Sequence, residues 1–413
     1  MSPLQIYSRR ERALVTAADR VLALGAAMAR PFRRRRAPIV PRRILLLRLE
    51  RIGDLLMVLP AIADVHTLAP DAEIHLVVGS WNADLAGAID PVKRVQTLDA
   101  AWLARRESGL GLLSLLGVAR RWRAMKYDLV INFEPDVRSN LLAAVSGAAW
   151  AAGYRSGGGG ALLDVALDYD TRAHTTDNAR RLVAATLGSP SPVPGSSSSE
   201  TGSDHGFEVA PILIVPAKAY DNASRLLGAA RGPLVGVHVS GGRAIKQWEP
   251  DRFADVARRL IEATGATIVL TGSGDDRGLV DVVKQALPPP HVIDVAGHLD
   301  LLTLGAILER LDLLITGDTG PMHLAAAVGT PIVAVFGPSD PVRYAPRGRL
   351  DRIIRVDLPC SPCNRIRLPP ARCVGHTPDC LAFLSADSVF NAAIAVLREV
   401  GRRSAVGADT STA

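Results

Sequence analysis

Apolar and polar residues alternate in blocks along most of the chain, with short apolar runs separated by longer segments of helical period. The apolar runs are nearly continuous, and such runs indicate parallel strands that are covered on both faces. They occupy residues 44–49, 73–79, 128–134, 233–239, 266–272, 291–297, 311–317 and 331–337. Segments of helical period occupy residues 54–69, 109–125, 250–264, 275–287, 301–310 and 321–328. The pattern predicts two βαβ series, the second beginning after residue 232.

A stretch without apolar period separates the two series. Residues 188–206 are rich in Ser, Pro and Gly, which is typical of a flexible linker or a surface insertion. The chain of 413 residues is also longer than a single domain usually is. We therefore expect an α/β protein of two doubly wound domains, with ligands bound in a cleft at the carboxyl ends of their strands.

The positive charge of the chain is concentrated before the first strand. The formal net charge is +7, yet residues 1–43 hold eleven arginines against Glu11 and Asp19, which gives +9 for this extension and −2 for the rest. Apolar residues at 14, 17, 18, 21, 24, 25 and 28 recur there at helical spacing. A basic amphipathic helix suits the surface of an anionic membrane; a solvated helix with a basic linker and a cleaved signal peptide are the alternatives. No apolar run of about 18 residues is present, so no transmembrane helix is predicted.

The segment 316–340 places an apolar strand, a polar turn and an apolar helix in immediate succession. Asp318 and Thr319 are good capping residues, and Gly320 relieves crowding at the helix start. His323 falls in the first helical turn and has no capping role. Unpaired N–H groups and the helix dipole at such a terminus favour an anion, so the segment predicts a phosphate-binding site.

Two further loops of the second series carry candidate chemistry. Ser240 and Gly241 follow a strand in a small turn that can offer N–H groups to phosphate oxygens, and Lys246 is a candidate clamp for a diphosphate leaving group. This loop is expected to leave the same sheet edge as the phosphate-binding helix start. In the next turn, Asp275 or Asp276 can bond ribose hydroxyls, although either can equally cap the following helix.

Asp54 is the candidate for acid–base chemistry in the first series. It follows the strand at 44–49, and Gly53 beside it permits close approach to the backbone. A carboxylate at the carboxyl end of a strand can accept a proton from an attacking hydroxyl. The alternative is a plain helix N-cap, a position that Asp favours.

All four cysteines lie close together near the carboxyl end of the chain. Cys360, Cys363, Cys373 and Cys380 follow the spacing C-x2-C-x9-C-x6-C. Such clustering predicts a structural metal site, with zinc or iron as the candidate ion. Reduced loop thiols and two disulfides are the alternatives.

Three of these motifs together resemble glycosyltransferase family 9, the ADP-heptose:lipopolysaccharide heptosyltransferases. The stretches are "RIGDLLMVLPAI", "SGGRAIKQW" and, most specifically, "GDTGPMHLAAAVGTPIVAVFGPSDP", and the resemblance runs from about residue 44 to 400. It implies a GT-B fold, in which the first domain binds the acceptor and the second binds the nucleotide-sugar. The polybasic extension, the Ser-rich insertion and the Ser240–Gly241 pair depart from the pattern of the family.

The resemblance also implies a role for each candidate residue. Asp54 matches the catalytic base, and the residues that match donor contacts are Ser240, Gly241, Lys246, Asp275, Asp318, Thr319, Gly320 and His323. The family implies inverting transfer of heptose from ADP-L-glycero-D-manno-heptose onto lipid A–Kdo or inner-core lipopolysaccharide, with no cofactor required for catalysis. The protein is expected in the cytoplasm, peripheral to the inner membrane.

Other functions remain open at this point. A relative that uses another nucleotide-sugar or a protein acceptor is one alternative, and a non-catalytic sugar-nucleotide-binding protein is another. A nucleic-acid-binding protein would fit the arginine cluster, but the acidic balance after residue 43 argues against it.

The predicted organisation has five parts, and the second and fourth are the doubly wound domains. They are a basic amphipathic extension (1–43), an acceptor domain (44–187), an insertion and linker (188–230), a donor domain with a Cys-rich loop at 360–380 (231–402), and a disordered tail (403–413).

Overall fold

The structure of this chain is a computed structural model that describes residues 9–29, 40–103, 109–188, 213–228, 230 and 232–410. The chain divides into two compact units, unit 1 from Met1 to Asp204 and unit 2 from His205 to Ala413. Each unit is organised around one six-stranded parallel sheet.

The strands of unit 1 are β1 (Arg43–Leu47), β2 (Glu73–Val78), β3 (Val92–Thr97), β4 (Leu129–Asn132), β5 (Trp150–Tyr154) and β6 (Val165–Leu167). They pair in parallel in the order β3-β2-β1-β4-β5-β6. Ile44 to Leu47 in the central β1 are fully buried, which explains their continuous apolar character.

The helices of unit 1 are α1 (Arg9–Ala29), α2 (Ile52–Met57), α3 (Leu59–Leu68), α4 (Ala83–Gly87), α5 (Leu112–Arg121), α6 (Val137–Val145) and α7 (Thr175–Leu187). The single helix predicted over 54–69 is therefore two helices that meet at Val58. Pro60 has no N–H and its ring is tolerated only in a first helical turn, so a new helix starts beside it.

The strands of unit 2 are β7 (Leu234–His238), β8 (Thr267–Thr271), β9 (Val292–Asp294), β10 (Leu313–Gly317), β11 (Ile332–Val335) and β12 (Arg352–Ile354). All pairs are parallel, in the order β12-β11-β10-β7-β8-β9. Counted from its first strand, unit 2 repeats the strand order of unit 1, which is the order of a Rossmann fold. The predicted fold class, two doubly wound units, is confirmed.

The helices of unit 2 are α8 (Ala217–Leu227), α9 (Pro250–Thr264), α10 (Arg277–Gln285), α11 (Leu301–Glu309), α12 (Gly320–Ala327), α13 (Pro341–Tyr344), α14 (Asp379–Ala382) and α15 (Ala386–Thr410). Apolar residues of α9, α10 and α15 pack on one face of the sheet in a core cluster that includes Val235, Val237 and Ile268.

Two segments predicted to be irregular are helical. Within the predicted linker 188–230, α8 buries Ala219, Ala223 and Leu227 at i, i+4 and i+8, and Tyr220 donates a hydrogen bond to Glu309 of α11. The predicted disordered tail from residue 403 is wrong as far as Thr410, because α15 continues to that residue. A helix that is already nucleated and packed extends cooperatively, one hydrogen bond per residue. Residues 189–212 of the insertion lie outside the described part of the chain.

Among the residues that the structure describes, no helix combines the length and the apolarity needed to cross a membrane.

Candidate active site

In unit 1, the candidate base Asp54 lies just beyond the carboxyl end of β1. Arg51 is the N-cap of α2, and Asp54 is the third residue of that helix. The N-cap alternative for Asp54, and the expected helix start at Asp54, are therefore wrong. An acidic side chain in the first turn complements the helix dipole, and the Asp54 carboxylate remains 29% exposed.

A buried arginine fixes the position of Asp54. Arg48, whose side chain is only 4% exposed, donates from Nη2 to Asp54 Oδ1 at 3.1 Å and from Nε to the Asp54 carbonyl at 3.0 Å. Through Nη1 it also donates to Glu134 Oε2 at 3.1 Å and to the Phe133 carbonyl at 2.9 Å. The guanidinium thus joins the strand end of β1, the first turn of α2 and the strand end of β4.

Glu134, which follows β4, is the third charged residue of this cluster. Its Oε1 accepts from the backbone N–H groups of Leu49 and Glu50 at 2.8 and 3.0 Å, so one carboxylate holds both the turn after β1 and the guanidinium. Burial raises the pKa of Glu134 above its usual value, against the attraction of Arg48. The groups that contact the Glu134 oxygens in this cluster, Arg48 Nη1 and the N–H groups of Leu49 and Glu50, all donate, as an ionised carboxylate requires. Burial alone would lower the pKa of Arg48, but Glu134 and Asp54 raise it above its usual value, so the guanidinium stays charged.

Arg48 and Glu134 were not among the predicted site residues. Arg48 interrupts an apolar run, and a charged residue in a buried strand is a signal that a partner exists. The partner is 86 residues away along the chain, so its identity depends on the pairing of β1 with β4.

In unit 2, the loop after β7 carries Ser240, Gly241 and Lys246. A Cβ on Gly241 would lie 2.6 Å from the carbonyl carbon of Lys246, so glycine is required for the loop to fold back on itself. The N–H of Gly241 donates to Gln247 Oε1 at 2.7 Å, and the N–H of Gly242 donates to Ser240 Oγ at 3.1 Å. The N–H groups of Gly241 and Gly242 therefore already have acceptors within the loop, and phosphate binding by this turn stays a prediction.

Lys246 lies against Asp318, as the shared sheet edge predicts. β7 and β10 are neighbours, with His238 opposite Thr316, so the loops that follow them meet. Lys246 Nζ donates to the Asp318 carbonyl and, at 3.0 Å, to Asp318 Oδ2. His323 Nε2 is 3.9 Å from the other carboxylate oxygen of Asp318.

The charge of Asp318 is stabilised by these two neighbours. Burial by itself raises the pKa of Asp318, but the attraction of Lys246 and His323 outweighs burial and the pKa lies below its usual value. Asp318 is thus ionised at neutral pH and holds the Lys246 ammonium at the start of α12.

Thr319 is the N-cap residue of α12, and Gly320 begins the helix. The Thr319 hydroxyl lies 3.1 Å from that of Thr316, and among the described residues it makes no capping bond to the helix. The predicted capping by this side chain is therefore wrong. The first-turn N–H groups of α12 and its dipole give the helix start its positive character, next to the Lys246 ammonium.

Asp276, rather than Asp275, faces the loop after β7. Asp276 caps its own turn by accepting from the N–H and hydroxyl of Ser273 at 2.8 and 2.6 Å. Although burial raises the pKa of Asp276, hydrogen bonds from Ser240 and Ser273 lower it below its usual value. Asp275 is exposed, and a ribose contact by either carboxylate stays a prediction.

The four cysteines are free thiols, and Cys380 is buried at the start of α14 while Cys360 is exposed. Burial, assisted by the nearby Cys363, Cys360 and Cys373 thiols, raises the pKa of Cys380 to about 11. Within residues 232–410, no three His, Cys, Asp or Glu side chains are placed to hold a metal ion. Metal binding by these cysteines stays a prediction.

Comparison with known proteins identifies the family of this chain. The family model of glycosyltransferase family 9 (heptosyltransferase) matches residues 115–370. The lipopolysaccharide core heptosyltransferase OpsX of Haemophilus influenzae is 22% identical over 324 residues, which cover 76% of this chain and 85% of that protein.

Two solved structures share the fold. The ADP-heptose lipopolysaccharide heptosyltransferase II of E. coli aligns with a TM-score of 0.67 and 19% identity, over 86% of this chain and 99% of that one. The glycosyltransferase family 9 protein of Veillonella parvula aligns with a TM-score of 0.69 and 24% identity, over 87% and 98% of the two chains. With the family model covering more than half of the residues, the chain belongs to glycosyltransferase family 9 and is a glycosyltransferase.

Proposed function

We propose that this enzyme transfers heptose from ADP-L-glycero-D-manno-heptose to the inner core of lipopolysaccharide, with inversion at the anomeric carbon and without a metal ion. The proposal is supported by family membership and by relatives that are named as heptosyltransferases of lipopolysaccharide. A structural neighbour is named for ADP-heptose.

The observation that carries the proposal is the Lys246 ammonium held at the amino end of α12. An ammonium group has three N–H donors, and two of them point to Asp318. We assign the third to an oxygen of the donor diphosphate, beside the first-turn N–H groups of α12. Asp318 then orients Lys246 and His323, and does not itself contact the anion.

In the reaction, the Asp54 carboxylate accepts the proton of the acceptor hydroxyl as its oxygen attacks the anomeric carbon. The bond between that carbon and the diphosphate oxygen breaks, and ADP departs with the electron pair. Lys246 and the start of α12 stabilise the charge that develops on the leaving group. Arg48 fixes the orientation of the Asp54 carboxylate through Oδ1 and the main chain, which leaves Oδ2 for the acceptor hydroxyl.

A lipid-borne acceptor implies that the reaction occurs at a membrane surface. We place it at the cytoplasmic face of the inner membrane, where a nucleotide-sugar donor is available, with the protein bound peripherally.

A donor panel tests the proposal. Thermal stability is measured with ADP, UDP, GDP and CDP, since a ligand that binds only the native state raises its stability. Transfer from ADP-heptose to a soluble inner-core acceptor is then followed with and without EDTA, and the product anomer is assigned by NMR. ADP-selective stabilisation and EDTA-resistant transfer with inversion are expected. Selective stabilisation by another nucleotide would refute the ADP donor, loss of transfer in EDTA would refute metal independence, and a product with retained anomeric configuration would refute inversion.

A matched pair of lysine variants tests the diphosphate contact. Lys246→Met is expected to weaken ADP binding by roughly 10- to 100-fold, the equivalent of one charge-assisted contact of about 1.5–3 kcal/mol. Lys284→Met is the control. Lys284 lies in the same unit, on α10, but pairs with Asp294 of β9. Equal affinity in the two variants would contradict the assignment of Lys246.

A further inference from the structure

Helix α1 is fastened to the body of unit 1 by one of its faces. Asp19 Oδ1 accepts a hydrogen bond from the N–H of Gly159 at 2.6 Å. A Cβ on Gly158 would lie 2.9 Å from Val15 Cγ1, so the helix approaches this loop closely. The half-buried residues of α1 include Val15, Asp19 and Leu22. Helix α1 is therefore part of the fold, and its orientation is set by the loop that follows β5.

The opposite face of α1 is apolar and exposed. Its large residues, which are 67 to 77% exposed, are Leu14, Val21, Leu24 and Met28. These residues share one side of the helix with exposed Ala17 and Ala18. Single exposed hydrophobic residues are ordinary, but a continuous apolar stripe marks a surface for interaction. In the part of the chain that the structure describes, no other segment covers this stripe.

The charge around this stripe favours an anionic partner. Arg12 and Arg20 are exposed on α1, while Asp19, the acid between them, is occupied by Gly159. The extension as a whole carries a net charge of +9, from eleven arginines and two acids. A second copy of the chain would bring two such clusters together, which like-charge repulsion disfavours.

Helix α1 lies at the end of the sheet that carries the candidate base. The loop that holds α1 follows the carboxyl end of β5, and Asp54 follows the carboxyl end of β1. In the strand order, β4 alone separates β1 from β5, so these ends are about 10 Å apart across the sheet. Helix α1 therefore lies at the same sheet edge as the candidate base.

We propose that the exposed face of α1 binds the surface of an anionic membrane and thereby brings the Asp54 edge of unit 1 to a lipid-borne acceptor. The apolar stripe enters the interface between headgroups and acyl chains, and the arginines bind lipid phosphates. Only the acceptor part of this inference rests on the proposed function.

Vesicle binding by the full-length protein tests the surface. Cosedimentation is measured with vesicles of phosphatidylcholine alone and of phosphatidylcholine with phosphatidylglycerol. Binding is expected to the anionic vesicles, to weaken with salt, and to fall about tenfold in Leu24→Glu, since a leucine leaves the acyl boundary. Leu113→Glu on α5 is the matched control, because Leu113 is 85% exposed and the substitution makes the same change of charge.

Three results would overturn the inference: equal loss of binding in both variants, equal binding to neutral and anionic vesicles, or a dimer that Leu24→Glu dissociates in the absence of any vesicle binding. Circular dichroism of both variants checks that the fold is intact. Vesicle binding needs neither donor nor acceptor, so intact binding without heptose transfer counts against the proposed function alone. Normal transfer to a soluble acceptor without vesicle binding counts against this inference alone.

Discussion

Substitution of Arg48 by methionine is the sharpest test of how unit 1 holds Asp54, the proposed catalytic base. The change removes four hydrogen bonds, two of them to carboxylates, from a side chain that is nearly inaccessible to water. Glu134 is then left buried beside Asp54 without a cation. Removal of one partner of a buried ion pair costs roughly 3–5 kcal/mol, and we expect unit 1 to lose stability by that amount.

The same substitution is expected to reduce catalysis independently of folding. Without Nη2 the Asp54 carboxylate loses its orienting donor, and misplacement by about 1 Å costs about 100-fold in rate. We therefore expect kcat to fall by that factor while KM for the donor is unchanged. Arg48→Lys retains the charge but not the two-pronged contact, so partial rescue of stability with little rescue of kcat is expected.

A double-mutant cycle isolates the interaction energy between Arg48 and Glu134. Glu134→Gln alone leaves Arg48 with Asp54 as its anion and is expected to cost less than Arg48→Met. In the double variant no unpaired charge remains between positions 48 and 134, so a coupling of about 1–3 kcal/mol is expected. Urea unfolding followed by tryptophan fluorescence suits this measurement, because four of the five tryptophans precede residue 188. Additive effects of the two substitutions, within about 0.5 kcal/mol, would refute the reasoning.

The remaining predictions concern single residues in either unit. Asp54→Asn is expected to lower kcat by about 10²–10⁴ with ADP affinity unchanged by calorimetry, and weaker ADP binding would contradict its role as base. The methyl group of Gly241→Ala would collide with the main chain of Lys246. Because this shifts Lys246 away from the proposed diphosphate position, ADP binding measured by calorimetry is expected to weaken at least about tenfold. Burial lowers the pKa of His238 to about 4, so its stabilising contribution is complete above pH 6.5 and is lost as pH falls toward 4. Unfolding of unit 2 is expected to cost about 2–3 kcal/mol less at pH 4.5 than at pH 7, and His238→Gln, which does not titrate, to reduce this difference.

The fold could be predicted where burial leaves a mark on the sequence. The strands at the centres of the two sheets are apolar throughout and were identified, whereas β3, an edge strand with exposed Lys93 and Arg94, resembles a loop. β6 and β12 have only three residues each and are bounded by charged residues on both sides, whereas the equally short β9 continues into buried Val295 and Ala296, which lengthens its apolar run. Two of the three buried residues of α8 are alanines, Ala219 and Ala223, which contribute little hydrophobicity, so this helix was assigned to the linker.

The candidate site was predicted where chemistry depends on neighbours along the chain, and incompletely where it depends on distant residues. Lys246 and Asp318 were placed at one edge because both follow strands of the same predicted parallel sheet, and the structure brings them into contact. The sequence left Asp275 and Asp276 as alternatives, because it does not show which of two neighbouring carboxylates turns toward Ser240. In the structure this is Asp276. Arg48 and Glu134 required the pairing of β1 with β4, which no local pattern specifies.

The partnership between Lys246 and Asp318 has a consequence for selectivity among small anions in the cell. An ammonium group already shared with a carboxylate presents little surplus charge, so free phosphate or sulfate gains little by settling there. Under the proposed function, we therefore expect a nucleotide to fill the site only through additional affinity from its base and ribose.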